Sequence, residues 1–475
     1  MIKQVFQDSF VYGVVSILSR GISMFTLPFY ARVLTPADFG TIDILFTFGA
    51  LISLSVAFEI HQALIRFYSD LYLLEDKSRY AGTAWWFSVG MYLLFILGCL
   101  LSAKEITNAL LGDGRLLIAF RLSVLLIASN GLFYFLQCQL RTEFRSRENA
   151  LISLLYSILT MIFSVGLACV FSFGLEGVQL GQLIASLIAV LAAFLMVRRS
   201  FGFNFDTSCL FKMLTFSAPL VPAGIATFFS IYSNRLVLNS LTSLDDVGIF
   251  GIGAKIAGIA GLMMVGIQSA LTPLIYNHYQ KSETPANLAK LFEWFVAVSL
   301  LVCLGLGLFA TELLRIFTTP QYFVAAPIVM LLAPAALLNQ MYVFAPGIAI
   351  AKKMHWQIWI SLVVAAVSIL LNLTLIPSSG YVGAAWATLI SGGLFAMLYF
   401  IVSQRFYLIP FRWKRIFFSV LLTIGMAYLG NFIAGSLVIK AATIVVVFGG
   451  ILYFGLISRD DLTACYGALR SVVKN

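Results

Sequence analysis

The chain has 475 residues, of which 61% are hydrophobic, 14% aromatic and only 11% charged, and its mean hydropathy is +0.98. A soluble domain is about 45–50% apolar and about 25% charged, so water is excluded as the solvent for most of this surface, and disorder, collagen and long coiled coils are excluded with it. The 30 Lys+Arg against 20 Asp+Glu leave +10, which in a soluble protein would point to nucleic acid but in a bilayer first asks which side each cation faces.

A membrane-spanning helix needs about 20 apolar residues. Apolar windows predict fourteen spans: 9–34, 39–65, 80–103, 115–139, 149–173, 176–198, 211–239, 246–275, 289–311, 322–350, 355–376, 380–403, 413–434 and 437–457. The predicted class is therefore an all-α integral membrane protein. An even number of spans returns both termini to one side. Of the 30 positive residues, twenty-one fall in loops and flanks on the side of the termini, four (Lys104, Arg115, Arg315, Lys440) on the other side, and five inside spans. Cytoplasmic loops carry the excess of Lys and Arg, so both termini are expected in the cytoplasm. Opposite loops such as 35–38, 174–175, 240–245, 377–379 and 435–436 are short, so no sizeable extramembrane domain is expected.

In chain order, residues 1–9 run straight into the first span with no A-x-A-like site after a short apolar core, so no cleaved signal is read. The first span carries Arg20 and Arg32, which are 12 residues and hence about 120° apart on an ideal helix. The second carries Asp43 and Glu59, with His61 and Gln62 beside the latter, and the fourth carries Arg121. Asp43 and Glu59 are read as the in-membrane acids, with Asp43 the mate of Arg32. The seventh span holds Pro219, Pro222, Tyr232 and Arg235; the eighth holds Lys255 among Gly248, Gly251, Gly253, Gly258 and Gly261. Pro327, Pro334 and Pro346 interrupt the tenth, which also holds Tyr342; Trp386 lies in the twelfth. Proline frees a backbone carbonyl and kinks a helix, and kinked helices commonly line a transport pathway. Trp294, Trp356, Trp359 and Trp413 sit near span ends, as belt residues do. Cys99, Cys138, Cys169, Cys209, Cys303 and Cys465 form no CxxC and read as small apolar fillers.

Two pairs of turns repeat at nearly one spacing. LTPADFG at 34–40 matches LTSLDDVG at 241–248, with Asp38 and Asp246 offset by 208; GLEG at 174–177 matches GYVG at 380–383, offset by 206. The spacing predicts a duplication of six spans. Six is even, so the copies are parallel, related by an axis along the membrane normal. The expected organisation is an N-lobe at 1–200, a C-lobe at 201–408 and a two-helix appendage at 409–475.

The segments LPFYARVLTPADFG (27–40), NRLVLN (234–239), DVGIFGIGAKI (246–256) and NLTLIPSSGYVGAAWAT (372–388) resemble the Wzx-like polysaccharide flippase branch of the multidrug/oligosaccharidyl-lipid/polysaccharide exporter superfamily. The resemblance covers the whole chain in length, span number and order. It implies transport of a polyprenyl-pyrophosphate-linked oligosaccharide, an O-antigen or exopolysaccharide repeat unit, from the cytoplasmic to the periplasmic leaflet of the bacterial inner membrane. Lipid II flippases and MATE drug exporters are implied as cousins on the same fold. Membrane lipids, a polysaccharide polymerase and glycosyltransferases are the implied partners. In one departure, Asn234 stands where family members often have Asp before the arginine; this removes a carrier of protons or cations there and is read as leaving Arg235 without an adjacent anion.

Charges at mid-bilayer cost at least about 2.5–3.5 kcal/mol each on insertion scales, so the five in-span cations Arg20, Arg32, Arg121, Arg235 and Lys255 are the expected substrate-binding residues. Guanidinium groups bind phosphate oxygens bidentately and replace the water a pyrophosphate loses. Snorkelling to the headgroups is the plainer reading of Arg32 and Arg121. Asp43, Glu59 and His61 are charge partners of that cavity or couple it to a proton or sodium gradient. Tyr232, Tyr342 and Trp386 are candidates to stack on sugar rings, against the plainer reading of core packing.

No Walker loop occurs, Gly251 and Gly253 make no dinucleotide fingerprint, and His61, His278 and His355 lack metal-ligand spacing. Neither a cofactor nor an enzymatic activity is expected. A cation-coupled drug exporter would need a net negative cavity, and a membrane polymerase a large catalytic loop.

Overall fold

A computed structural model describes residues 21–22, 24–68, 73–202, 205–432 and 436–456. Among the described residues the regular structure is helical and no strand occurs. In chain order the helices are α1 (Leu27–Val33), α2 (Pro36–Ser55), α3 (Ile60–Tyr68), α4 (Leu74–Leu101), α5 (Ala103–Leu111), α6 (Leu117–Thr142), α7 (Ser146–Val165) and α8 (Gly174–Val197). They continue as α9 (Thr207–Ser217), α10 (Leu220–Leu241), α11 (Leu244–His278), α12 (Thr284–Leu308), α13 (Ala310–Phe317) and α14 (Ala326–Leu338). The last are α15 (Gly347–Ile350), α16 (His355–Gln404), α17 (Trp413–Phe432) and α18 (Leu437–Tyr453). Nine described segments are long and apolar enough to cross a membrane, or ten if the bent α9–α10 pair is one span. The protein is an all-α, multi-pass membrane protein. Arg20, Cys465 and half of the first predicted span lie outside the described residues.

Turn chemistry at the repeated motifs explains where the helices start. At the head of α2, Asp38 N donates to Thr35 Oγ1 (3.2 Å) and Thr35 N donates to Asp38 Oδ2 (2.9 Å), a reciprocal capping box with Pro36 in the first turn. The equivalent Ser243 accepts from Asp246 N at 3.3 Å at the head of α11. At the other repeated turn, Gly174 and Gly380 both take φ +53°, the left-handed region that suits glycine. At Gly380 the chain reverses inside the 50 residues of α16: a Cβ on Gly383 would overlap the Leu375 carbonyl oxygen, so the eleventh and twelfth predicted spans form a helical hairpin.

The repeated turns at 34–40 and 241–248 also meet each other. A Cβ on Gly40 would overlap the Leu244 carbonyl oxygen, and a Cβ on Gly248 would overlap the Pro36 carbonyl oxygen. Adding 208 carries Pro36 to Leu244 and Gly40 to Gly248. The contact is therefore the same in both directions, as across a two-fold axis.

Several predicted spans are not continuous helices. The second breaks between α2 and α3, where Phe58 (φ +49°) and Glu59 (φ +52°) both adopt the left-handed region. Each such non-glycine residue costs on the order of 1–3 kcal/mol, and no glycine or proline in the sequence announces it. The seventh bends by 43° between α9 and α10, where Pro219 withholds an N–H. The tenth is divided into α14, short 3-10 turns and α15, in keeping with its prolines. At the head of α9, backbone hydrogen bonds from Cys209 and Ser208 hold Asp206 below the usual carboxylate range.

The chain divides into two compact units, Met1–Gly251 with Phe317–Gln321 and Ala365–Ala384, and Ile252–Ile316 with Tyr322–Val364 and Ala385–Asn475. In the first, Trp85 stacks on Phe201 and Phe194 at 5.4 and 5.5 Å. A polar thread ties α6, α7 and α8: Ser129 to Ser186 (2.8 Å), Ser186 to Asn130 (2.9 Å) and Tyr156 to Asn130 (3.1 Å). The second centres on Phe292, which meets Phe344, Phe400 and Phe411 at 4.9–5.3 Å. The five described cysteines are free thiols.

Candidate functional site

The densest cluster of predicted site residues lies in the first unit, where α2, α10 and α11 approach one another. Phe228, Tyr232 and Arg235 recur at helical spacing and so share one face of α10. Arg235 Nε donates to Asp43 Oδ2 at 2.8 Å, and its Nη1 donates to Asn234 Oδ1 at 3.3 Å. The guanidinium lies 5.6 Å from the Tyr232 ring centre and 5.4 Å from that of Phe250, within cation–π range. Tyr232 is backed by Phe228 at 5.2 Å and met edge-on by Phe46 at 6.4 Å. The two charged side chains are 16% and 19% exposed. Gly251 makes room for the carboxylate, since a Cβ there would come within 3.0 Å of Asp43 Oδ2. Gly251 is also the position 208 after Asp43, the same offset that relates the two repeated turns.

Two sequence expectations are corrected here. Asp43 is the mate of Arg235, not of Arg32, and Arg235 is not without an anion. The partner is out of reach of local reasoning because it lies 192 residues away. Asn234, read from the sequence as a lost carrier, instead accepts from Arg235's own backbone N (2.8 Å) and side chain. Chemically, a guanidinium held by one carboxylate oxygen and one amide oxygen keeps most of its five N–H donors for a further anion.

A second polar cluster surrounds the break in the second span. Glu59 Oε2 lies 3.2 Å from His61 Nε2, with both side chains nearly buried. His61 meets Tyr134 edge-on at 5.0 Å, and Arg141 lies 5.5 Å from the same ring. The sequence expectation of a Glu–His pair therefore holds in the geometry, and Tyr134 and Arg141, neither of which is among the predicted site residues, join it.

Of the remaining predicted residues, Arg32 and Arg121 are exposed, and the structure brings neither into the Arg235–Asp43 pair. Lys255 is exposed on α11 and belongs to the second unit. In that unit Tyr342 accepts a hydrogen bond from Gln268 at 3.2 Å and packs on Tyr399, and Trp386 is 47% exposed. Two paired acids are not among the predicted site residues, and the first of them falls inside the predicted span 289–311. Glu293 in α12 is 4% exposed, 3.7 Å from Arg412, and Glu312 in α13 binds Lys440 at 2.7 Å.

Comparison with known proteins agrees with this architecture. The chain is 22% identical over 307 residues to "Lsg locus putative protein 1" of Haemophilus influenzae, a match spanning 63% of this chain and 72% of that one. It is 20% identical over 272 residues to "Probable low-salt glycan biosynthesis flippase Agl15" of Haloferax volcanii, spanning 54% of this chain and 55% of that one. Its fold is that of the lipid II flippase MurJ in an inward closed conformation, with a TM-score of 0.77 at 14% identity over 93% of this chain and 98% of MurJ. A profile described as "Polysaccharide biosynthesis protein" matches residues 29–279, which include the paired Asp43 and Arg235, and since this is more than half of the chain the protein belongs to that family.

Proposed function

We propose that the protein is a transporter, not an enzyme, that moves a polyprenyl-pyrophosphate-linked oligosaccharide from the cytoplasmic to the periplasmic leaflet of a bacterial inner membrane. The observation that carries this reading is Arg235. It is a cation within a span, held by a single carboxylate oxygen, flanked by Tyr232 and Phe250, and rich in uncommitted N–H donors. The family match and the name of the Haloferax volcanii relative support the same cargo class. In this reading fourteen spans form two six-span lobes, 1–200 and 201–408, with 409–475 appended and both termini cytoplasmic. The headgroup enters from the cytoplasmic leaflet, and cations among Arg20, Arg32, Arg121, Arg235 and Lys255 hold its pyrophosphate while the lipid tail stays in the bilayer. Tyr232, Tyr342 and Trp386 offer faces to sugar rings. Asp43, Glu59 and His61 link the cycle to a proton or sodium gradient. Glycosyltransferases make the cargo, and a polymerase consumes it.

The test is surface glycan in a host lacking its own copy. Replacing Arg20, Arg235 or Lys255 singly by Ala is expected to abolish surface glycan at unchanged protein level. Near-normal glycan in all three variants would sink the cationic-pathway reading.

A further inference from the structure

The contact between the repeated motifs sits at the very ends of two helices. Pro36 and Leu244 are the first residues of α2 and α11, and Gly40 and Gly248 lie one turn in. It is a contact of glycine against backbone carbonyl, with no interlocking side chain between those atoms. Surfaces of this kind associate closely and separate without unpacking a core. One turn further along, Gly251 faces the Asp43 carboxylate, and Asp43 holds Arg235. Asp43 belongs to the first copy and Arg235 to the second. The turn at Thr242 and Ser243 joins Arg235's helix directly to α11. The ion pair therefore ties together the same two chain segments that meet at Gly40 and Gly248.

The geometry points to a latch. While no anionic headgroup is present, Asp43 occupies Arg235 and holds the Gly40–Gly248 contact closed. A phosphate-bearing headgroup that takes Arg235 frees α2 from α10 and lets the contact part. Asp43 is an internal stand-in for the anion of the cargo. The exchange is open to an incoming phosphate because Arg235 gives Asp43 only its Nε and the Asn234 amide only one N–H of Nη1, so the remaining donors, with both of Nη2 among them, are able to engage a second anion first. This inference rests on the proposed cargo and on the assignment of residues 35–38 and 240–245 to the outer face.

A reporter thiol tests it. Phe46 is 62% exposed and its ring meets Tyr232, so Phe46→Cys puts a thiol beside the Arg235 site. In intact cells, labelling by a membrane-impermeant maleimide is measured against the parent protein, whose natural cysteines set the background. Labelling is expected to be slow in the reporter alone and about fivefold faster with Asp43→Asn added, a population shift of the size a lost ion pair produces. Gly40→Ala with Gly248→Ala is expected to act in the same direction by wedging the contact. Asp43→Asn carries the decision because it removes charge without adding volume. Equal labelling in the reporter alone, with Asp43→Asn and with Arg235→Ala would overturn the latch. Faster labelling with normal surface glycan in Arg235→Ala would leave the latch standing and remove the cargo reading. Lost glycan with unchanged labelling would do the reverse.

Discussion

Two ion pairs in this protein use their cations in opposite ways. In the second unit, Lys440 Nζ donates to both oxygens of Glu312, at 2.7 and 2.9 Å, and lies 5.6 Å from the Phe309 ring centre. The lysine side chain is 10% exposed, and its point charge is committed to one carboxylate. The pair fastens the head of α18 to α13. In the first unit, Arg235 meets one oxygen of Asp43 through Nε, gives Nη1 to the Asn234 amide oxygen, and has the Tyr232 and Phe250 rings 5.6 and 5.4 Å from its guanidinium. Lysine offers a compact charge that one acid satisfies, whereas arginine offers a planar set of five donors. A buried ion pair by itself does not separate a fastener from a binding group; the number of donors left uncommitted does.

That contrast can be broken in three ways. The largest effect is expected from Arg235→Lys, which keeps the charge and removes the fork: surface glycan should fall about tenfold, the scale of one lost charge-assisted hydrogen bond, with protein level unchanged. Undiminished glycan would mean that a point charge suffices and would erase the distinction. Next, Lys440→Ala strands Glu312, whose side chain is 31% exposed. Partial exposure limits the cost to about 1 kcal/mol, read as a lower thermal midpoint in detergent with normal glycan per folded molecule. A loss of glycan per folded molecule would move Lys440 from fastening to transport. Pairing Lys440→Met with Glu312→Leu should recover the midpoint, because replacing both partners leaves no stranded charge. The smallest effect is expected from Tyr232→Leu, which removes one aromatic face from Arg235 at a cost of about 0.5–1 kcal/mol. Glycan should fall only two- to fivefold, and Tyr232→Phe should be silent. If Tyr232→Phe is as damaging as Tyr232→Leu, the phenol hydroxyl is the working group.

Much of the scaffold was legible because its signals are local. Thr35 with Asp38, and Ser243 with Asp246, cap helices through contacts only three residues long. Gly174 and Gly380 mark reversals through their own φ angles. The site was less legible. Glu59 and His61 are two residues apart and were read together, but the break at Phe58 and Glu59 has no local sign, since neither is a residue that favours the left-handed region. The helical spacing of Phe228, Tyr232 and Arg235 was a signal in plain view. Asn234 misled, because comparison with an expected Asp describes what is missing and not what the amide oxygen accepts.

The solvent, the helical class and the family resemblance could be read from the sequence, together with a pair of repeated turns. Each follows from residue type and short spacing: apolar runs long enough for a bilayer, capping and turn residues, and their recurrence 206 to 208 positions later. Only the tertiary structure decided which acid meets which cation, and that Gly40 and Gly248 are sites where backbones touch. Ion pairing between Asp43 and Arg235 spans 192 residues of chain. Any in-span acid could have met any in-span cation on charge alone, and the choice is made by which helices pack side by side.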